Sequence, residues 1–324
     1  MRILVLRLSS LGDIILTQPV VAELRQLHPE AEIDFLCKPE YATLPGLFGL
    51  DLKVIEYSKN LGWHLRLAGH KYDLVIDLHS KFSTWLVSRL VRAKQKVAYA
   101  KQRKLRRAIV RGDRNATIEA TVRLYYSALE RLYPDAFNSR TPIRFPALEL
   151  AEPVESGQGG GKKRIGLFLG AAHATKAYPV EQWREFLRLS GDRHEFRLYG
   201  NKADGILAKD LCREFPELKD LCGSLDLLEL TREIQLCDAI ISGDSGPMHI
   251  AAALSKPQIA IFGGTHPRLG FAPLNHKART LSADLDCQPC SLHGLESCPQ
   301  GHFNCMKEIT PSRLADALNA LLRS

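Results

Sequence analysis

At 324 residues the chain is too long for one ordinary open α/β domain and of a comfortable length for two. With 45% hydrophobic and 25% charged residues it has the make-up of a globular protein with packed cores, which excludes a disordered or fibrous chain. The formal net charge of +8 favours an anionic partner, and no run of about 18 apolar residues exists to span a bilayer.

The first residues, MRILVLRLSSLGD, hold a short apolar run that Arg7 interrupts and Gly12-Asp13 follows. That pattern is a strand and a turn, not a signal peptide with a small-residue cleavage site, so the expected compartment is the cytoplasm. Periodicity then predicts strands at Ile3–Leu6, Ile33–Leu36, Lys53–Ile55, Leu74–Ile76 and Lys96–Ala98. Helices are expected between them, from about Asp13 to Leu27, Phe82 to Val91 and Ile118 to Leu132. The stretch AEPVESGQGGGKK reads as a Gly-rich linker, after which the alternation restarts. Strands are expected at Ile165–Leu169, Phe196–Tyr199, Ala239–Ser242 and Gln258–Phe262. Helices are expected at Val180–Leu189, Ile206–Phe215, Met248–Leu254 and, after Thr310 as N-cap, Pro311–Leu322. Strands separated by helices mean parallel sheets with right-handed crossovers. The expected organisation is therefore two α/β domains, residues 1–152 and 164–324, joined by a linker at 153–163, with the last helix free to pack back on the first domain.

In open α/β sheets ligands sit beyond the carboxyl ends of the strands, so chemistry is sought in the loops that follow them. Three such loops stand out. In RLSSLGDIIL, Ser9, Ser10, Gly12 and Asp13 form a polar lip where a carboxylate can meet a substrate hydroxyl. Asp13 alone also fits an ordinary acid in the first turn of a helix. In GAAHATKAYP, small residues and Lys176 precede a helix and could cradle a diphosphate, although a plain βα loop with a solvated lysine has the same look. In ISGDSGPMHIAAAL, Gly243 and Gly246 flank Asp244 and Ser245, and Pro247 opens a helix whose free N–H groups suit an anion. Asp244 would repel a phosphate and is better suited to sugar hydroxyls, while His249 could equally face a core. FGGTHPRLGF is a further Gly-rich loop after a strand.

Ten cations, Arg92, Lys94, Lys96, Lys101, Arg103, Lys104, Arg106, Arg107, Arg111 and Arg114, stand against one acid, Asp113, in a single stretch. Such an excess favours a phosphorylated glycolipid, a membrane surface or nucleic acid. With only Tyr99 among them, nucleic acid is the weakest of the three. Cys37, Cys212, Cys222 and Cys237 fall in or beside apolar runs and read as small hydrophobes. Cys287, Cys290, Cys298 and Cys305 follow a C-x₂-C-x₇-C-x₆-C spacing, with His293 and His302 between, which suits a structural zinc or reduced thiols equally well.

Asp13 in SSLGD, Lys176 before Tyr-Pro, the GDSGPMHIAAA run and the GGTHP loop resemble glycosyltransferase family 9, the bacterial ADP-heptose:lipopolysaccharide heptosyltransferases, and the heptosyltransferase II type in particular. The resemblance runs from Met1 to the last helix. It implies a GT-B fold of two Rossmann-like domains with a cleft between them, the first binding the acceptor and the second ADP-heptose. By position it makes Asp13 the catalytic base and Lys176 the diphosphate contact. Donor contacts would come from Ser10 and Gly12, from Ala174, Thr175 and Gly200, and from Asp244, Ser245, Gly246, Met248, His249, Gly264 and Thr265. Arg103, Lys104, Arg106 and Arg107 would meet an acidic inner-core acceptor bearing Kdo or heptose. The loop GNKAD departs from the family, with Lys202 where an acid often meets the donor ribose and Asp204 two residues on.

The expected reaction is inverting transfer without a metal or other catalytic cofactor, on the expectation that no DxD-type pair of acids stands in a loop where a divalent ion could bridge a diphosphate. The enzyme would work in the cytoplasm or peripherally on the inner membrane. A nicotinamide oxidoreductase is disfavoured, because no G-x-G-x-x-G follows the first strand. A nucleotide-sugar epimerase would leave the basic segment without a use, and a family 9 transferase with another nucleotide-sugar remains the nearest alternative. A non-catalytic binding protein gives Asp13 no task.

Overall fold

The computed structural model describes residues 1–146, 148–150 and 161–323. The expected linker at 153–163 therefore lies, up to residue 160, outside the described residues. The chain forms two compact units, 1–102 with 119–149, and 103–118 with 150–324.

The first unit starts with β1 (Arg2–Leu6), α1 (Leu11–Ile15) and α2 (Gln18–Leu27). The sequence pattern suggests one continuous helix here. Pro19, within the first turn of α2, has no N–H for a carbonyl of the preceding turn, so the helix restarts. There follow β2 (Glu32–Cys37), β3 (Leu52–Glu56), α3 (Leu61–Ala68), β4 (Lys71–Asp77), α4 (Phe82–Leu90) and β5 (Arg92–Ala98). The chain then gives α5 (Arg103–Val110) to the second unit and returns with α6 (Thr121–Leu132). The sheet order is β3-β2-β1-β4-β5, all pairs parallel. Val5 aligns with Phe35 on one side and Ile76 on the other, and all three are fully buried. A strand covered on both faces must be apolar at successive positions, and Ile3, Leu4, Val5 and Leu6 supply that.

The second unit runs β6 (Lys163–Phe168), α7 (Val180–Ser190), β7 (His194–Tyr199), α8 (Gly205–Glu214), β8 (Lys219–Asp220) and α9 (Leu227–Leu236). It continues with β9 (Ala239–Gly243), α10 (Gly246–Ala253), β10 (Gln258–Ile261), β11 (Ala278–Leu281), α11 (Asn304–Lys307) and α12 (Pro311–Leu321). The order β11-β10-β9-β6-β7-β8 is the doubly wound Rossmann arrangement, again parallel throughout. Helix α9, absent from the periodicity-based expectation, nevertheless has a legible start. Asp226 accepts from the Glu229 N–H at 2.8 Å, and Glu229 returns the bond to the Asp226 N–H.

Helix α12 packs on α7, and Leu314, Leu318 and Leu321 join the core of the second unit. Residues 103–118 also belong to the second unit, not to a first domain ending at 152. Ile109 and Ala116 bury against Leu269, and Arg106 lies 4.8 Å over the Phe271 ring. Arg268 donates to the carbonyls of Arg114 at 2.7 Å and Ala116 at 3.2 Å. No helix among the described residues is long and apolar enough to cross a membrane.

Candidate active site

Each sheet reverses its winding at one point, between β1 and β4 in the first unit and between β6 and β9 in the second. Loops at a reversal diverge and leave a crevice at the carboxyl ends of the strands. The chemical groups lie there.

In the first unit Asp13 sits in α1, just beyond β1. Its Oδ2 accepts from the Arg7 guanidinium at 2.6 Å, from Ser10 Oγ at 2.8 Å and from the Ser10 N–H at 3.2 Å. Its Oδ1 has one partner, the Tyr125 hydroxyl at 3.0 Å, and 24% of the side chain is exposed. Burial alone would raise the carboxyl's pKa. The charge of Arg7 and the hydrogen bonds from Ser10 and Tyr125 outweigh it and hold Asp13 well below the usual carboxylate range. The ordinary role of a helix-opening acid is thus realised on Oδ2. Oδ1 keeps acceptor capacity for a further hydroxyl.

Arg7 and Tyr125 are not among the residues that the sequence singles out. A charge interrupting an apolar strand is the available signal for Arg7, which is buried, donates to the Leu78 carbonyl at 2.5 Å and stacks on the Tyr125 ring at 5.3 Å. Tyr125 lies 112 positions from Asp13 and carries no signal. Beyond β4, Asp77 Oδ1 accepts from the His79 and Ser80 N–H groups at 2.9 and 2.7 Å. Burial, then the charges of Arg7, Lys81 and Lys101, pushes the His79 imidazole down to about 3, so it is neutral at pH 7.

In the second unit Lys176 and Asp244 pair at 3.0 Å, with only 12% and 8% of their side chains exposed. Thr265 donates to the same Asp244 oxygen at 2.8 Å. The alternative of a plain loop with a solvated Lys176 is thereby corrected to a buried ion pair. The glycines explain how the loop gets there. A Cβ on Gly243 would stand 2.5 Å from the Lys176 carbonyl oxygen, and one on Gly264 2.7 Å from Thr175 Oγ1. Both positions must be bare for the 174–176 loop to nest on the strand ends. Thr175 is zipped in by its N–H to Leu295, by its hydroxyl from Leu295 N–H and by its carbonyl from Gly264 N–H.

Several expected donor contacts are placed otherwise. Met248 is fully buried against Ala260 and Phe262, and Thr175 is 2% exposed, so the side chains of both pack inside the unit. His249 is buried too, whereas Ser245, Gly246 and Gly200 are half-buried and Ala174 exposed at the sheet edge. Ser10 is exposed but engaged with Asp13, and Gly12 is buried; both belong to the first unit. Asp204 closes its own loop, accepting from the Asn201 N–H at 2.7 Å above Gly170 and Gly200. The expectation of no D-x-D pair in a loop is corrected by Asp284 and Asp286, which stand in the loop after β11. Both are engaged, Asp284 with His266 at 2.9 Å and Asp286 with Arg114.

The four cysteines Cys287, Cys290, Cys298 and Cys305 are free thiols lining one cavity of about 320 Å³, together with His302. They are gathered but not closed. Among the described residues no group of three or more His, Cys, Asp or Glu side chains is placed to hold a metal ion. On α5, Arg103, Lys104 and Arg107 are exposed, but Arg106 is buried on Phe271 and so is not an acceptor contact.

The family model for glycosyltransferase family 9 (heptosyltransferase) matches residues 63–296. The lipooligosaccharide heptosyltransferase 2 of Haemophilus ducreyi is 26% identical over 99% of both chains, and so is the lipopolysaccharide heptosyltransferase 2 of Escherichia coli K12. Among solved structures, the ADP-heptose lps heptosyltransferase II of E. coli superposes with a TM-score of 0.77 at 22% identity, covering 99% of this chain and 98% of that one. Two parallel α/β units of Rossmann type match the GT-B class, and the match across most of the length settles the family. The chain belongs to glycosyltransferase family 9 and is a glycosyltransferase.

Proposed function

We propose that this enzyme transfers a heptose from ADP-heptose to the Kdo/heptose inner core of a lipopolysaccharide, with inversion at the anomeric carbon. The relatives in Haemophilus ducreyi and E. coli are named as heptosyltransferases of lipooligosaccharide and lipopolysaccharide, which supports the sugar and the acceptor class. The observation that carries the mechanism is Asp13, ionised, a quarter exposed, and with Oδ1 held by a single partner. An acceptor hydroxyl donating to Oδ1 attacks the anomeric carbon. The new C–O bond forms as the bond from that carbon to the diphosphate oxygen breaks, and ADP leaves with the electron pair. So acidic a carboxyl is a weak base in the resting state. It therefore takes the proton late, once the forming bond has made the hydroxyl acidic. Lys176 and the first N–H groups of α10 meet the charge growing on the diphosphate, and no metal is given a part in the step. Incubating the protein with ADP-heptose and a Kdo-bearing acceptor tests the reading directly. Release of ADP only when both are present is the expected result, and acceptor-dependent release of the nucleoside diphosphate of a different nucleotide-sugar, with none from ADP-heptose, would assign another donor.

The acceptor's acidic groups are assigned to Arg103, Lys104 and Arg107, the exposed cations of α5. Changing all three to alanine is expected to raise the acceptor KM and flatten its dependence on salt, with the donor KM unmoved. An acceptor KM equal to that of the natural enzyme removes α5 from acceptor binding.

The thiols of Cys287, Cys290, Cys298 and Cys305 are proposed to hold a structural zinc. Supporting this, residues 282–303 have neither helix nor strand yet bring three of the thiols, and α11 the fourth, to one cavity. Four thiolates would close the coordination sphere and leave no open position for chemistry. Elemental analysis of protein purified without chelator is expected to find about one equivalent of zinc, and less than about 0.1 equivalent would end the proposal.

A further inference from the structure

The first unit carries an outer face that neither the reaction nor the core uses. Helices α3 and α4 pack side by side, with Leu67 and Val87 turned into the core. Their outward positions are not polar. Leu61 is 73% exposed, Leu65 65%, Phe82 76%, Trp85 49% and Leu90 40%. Five of the nine large hydrophobic side chains exposed among the described residues thus sit on these two short helices, which is a patch and not a scatter. Phe82, Trp85 and Arg89 share one stripe of α4. The two rings stack at 5.6 Å, and the Arg89 guanidinium lies 5.5 Å over the indole.

The charge around the patch has one sign. No Asp or Glu occurs from Tyr57 to Tyr72, or from Leu78 to Gly112. Of the two acids between, Asp77 is buried and Asp73 is paired with Lys94 at 2.6 Å. The exposed acid nearest in sequence is Glu56, at the end of β3. Lys59, Arg66, Lys81 and Arg89 are exposed on or beside the two helices.

We infer that the α3–α4 face docks on the surface of an anionic phospholipid bilayer, with Phe82 and Trp85 entering the headgroup region and Arg66, Lys81 and Arg89 meeting lipid phosphates. An amphipathic ring is suited to that depth, and a cation flanking it adds attraction to a negative surface. A protein partner would call for a mixed rim with acids as well as bases, which this face lacks. The inference deepens the reading of a lipid-borne acceptor, since a docked enzyme finds that acceptor by searching a surface. It does not depend on which sugar is transferred.

The test is co-sedimentation of the full chain with vesicles of phosphatidylglycerol and phosphatidylethanolamine, beside vesicles of phosphatidylcholine alone. Binding is expected to be at least about tenfold stronger to the anionic vesicles and to weaken with salt. The Phe82→Ser/Trp85→Ser variant should lose about tenfold of it, while Arg66→Gln/Arg89→Gln should lose chiefly the preference for anionic lipid. Both variants alter exposed side chains and are expected to keep the natural melting temperature. Activity on a delipidated, soluble acceptor should also be kept, so a wrong assignment of the reaction leaves the vesicle result standing. Equal binding to both vesicle types, or natural binding by Phe82→Ser/Trp85→Ser, overturns the inference. So does a dimer in vesicle-free solution that the same variant abolishes, which would give the face to a second copy. Loss of activity on the soluble acceptor would give it to acceptor binding instead.

Discussion

Asp13→Asn is expected to lower turnover by about 10²–10⁴-fold while the affinity for ADP-heptose stays within twofold or so. The amide keeps the shape of the carboxylate but cannot take the acceptor's proton. It also leaves the Arg7 guanidinium, 7% exposed, without its counter-charge at 2.6 Å, so some stability is lost as well. Titration calorimetry with ADP separates the two effects, because a folded site still binds the nucleotide. Natural turnover in the variant would remove Asp13 from the chemistry. The same pairing fixes a pH dependence. Asp13 has its pKa depressed in the fold, so it stays ionised as pH falls from 7 to about 5 and gives no acidic limb there. Its contribution to stability is likewise complete above the ordinary carboxylate pKa and is lost only as pH drops through the depressed one. Arg7→Gln removes the positive charge that does most to keep the buried carboxylate ionised. The variant is expected to move the acidic limb upward into the measured range, and a profile level to pH 5 in that variant would contradict the account.

Lys176→Met should affect both stability and catalysis. Its partner Asp244 is 8% exposed, and removing the ammonium leaves a buried carboxylate held by Thr265 alone. Breaking such a pair on one side costs on the order of 3–5 kcal/mol. The thermal midpoint should fall by several degrees, and transfer should be lost with it. The double change Lys176→Met/Asp244→Leu removes both charges and is expected to regain most of the midpoint without regaining activity. That split separates stability from function, since the stabilised double variant still lacks both the cation proposed to meet the diphosphate and the Asp244 carboxylate expected at the donor. Recovery of turnover together with stability would show that Lys176 serves packing only. If Lys176 meets the diphosphate as proposed, the ligand must compete with Asp244 for Nζ, so Asp244→Asn is expected to tighten ADP binding even as transfer falls.

Much of this is written in local patterns. The apolar run Ile3–Leu6, the Pro311 start of the last helix and the Gly-Asp-Ser-Gly-Pro turn each state their conformation within a few residues. Helices α3 and α5 escape such patterns because neither follows a clean apolar period. Leu61 and Leu65 face outward, and α5 is dominated by cations, with Ile109 as its buried apolar residue. Tight glycine contacts fall at the expected place for a different reason. Gly243 reads in the sequence as a glycine that permits close approach beside Asp244, and what approaches it is the Lys176 carbonyl.

By itself the sequence determined two parallel α/β units, the strand-end loops that carry Asp13, Lys176 and Asp244, and the family to which these belong. Hydrophobic period, turn residues and capping are local, so they survive reading in one dimension. Tertiary structure alone decided what each charge is doing. Asp13 answers to Arg7 and Tyr125, Lys176 to Asp244, and Arg106 to Phe271. The Asp13–Tyr125, Lys176–Asp244 and Arg106–Phe271 contacts join residues tens to more than a hundred positions apart. Coulomb attraction and desolvation depend on distance through space, which no spacing along the chain records.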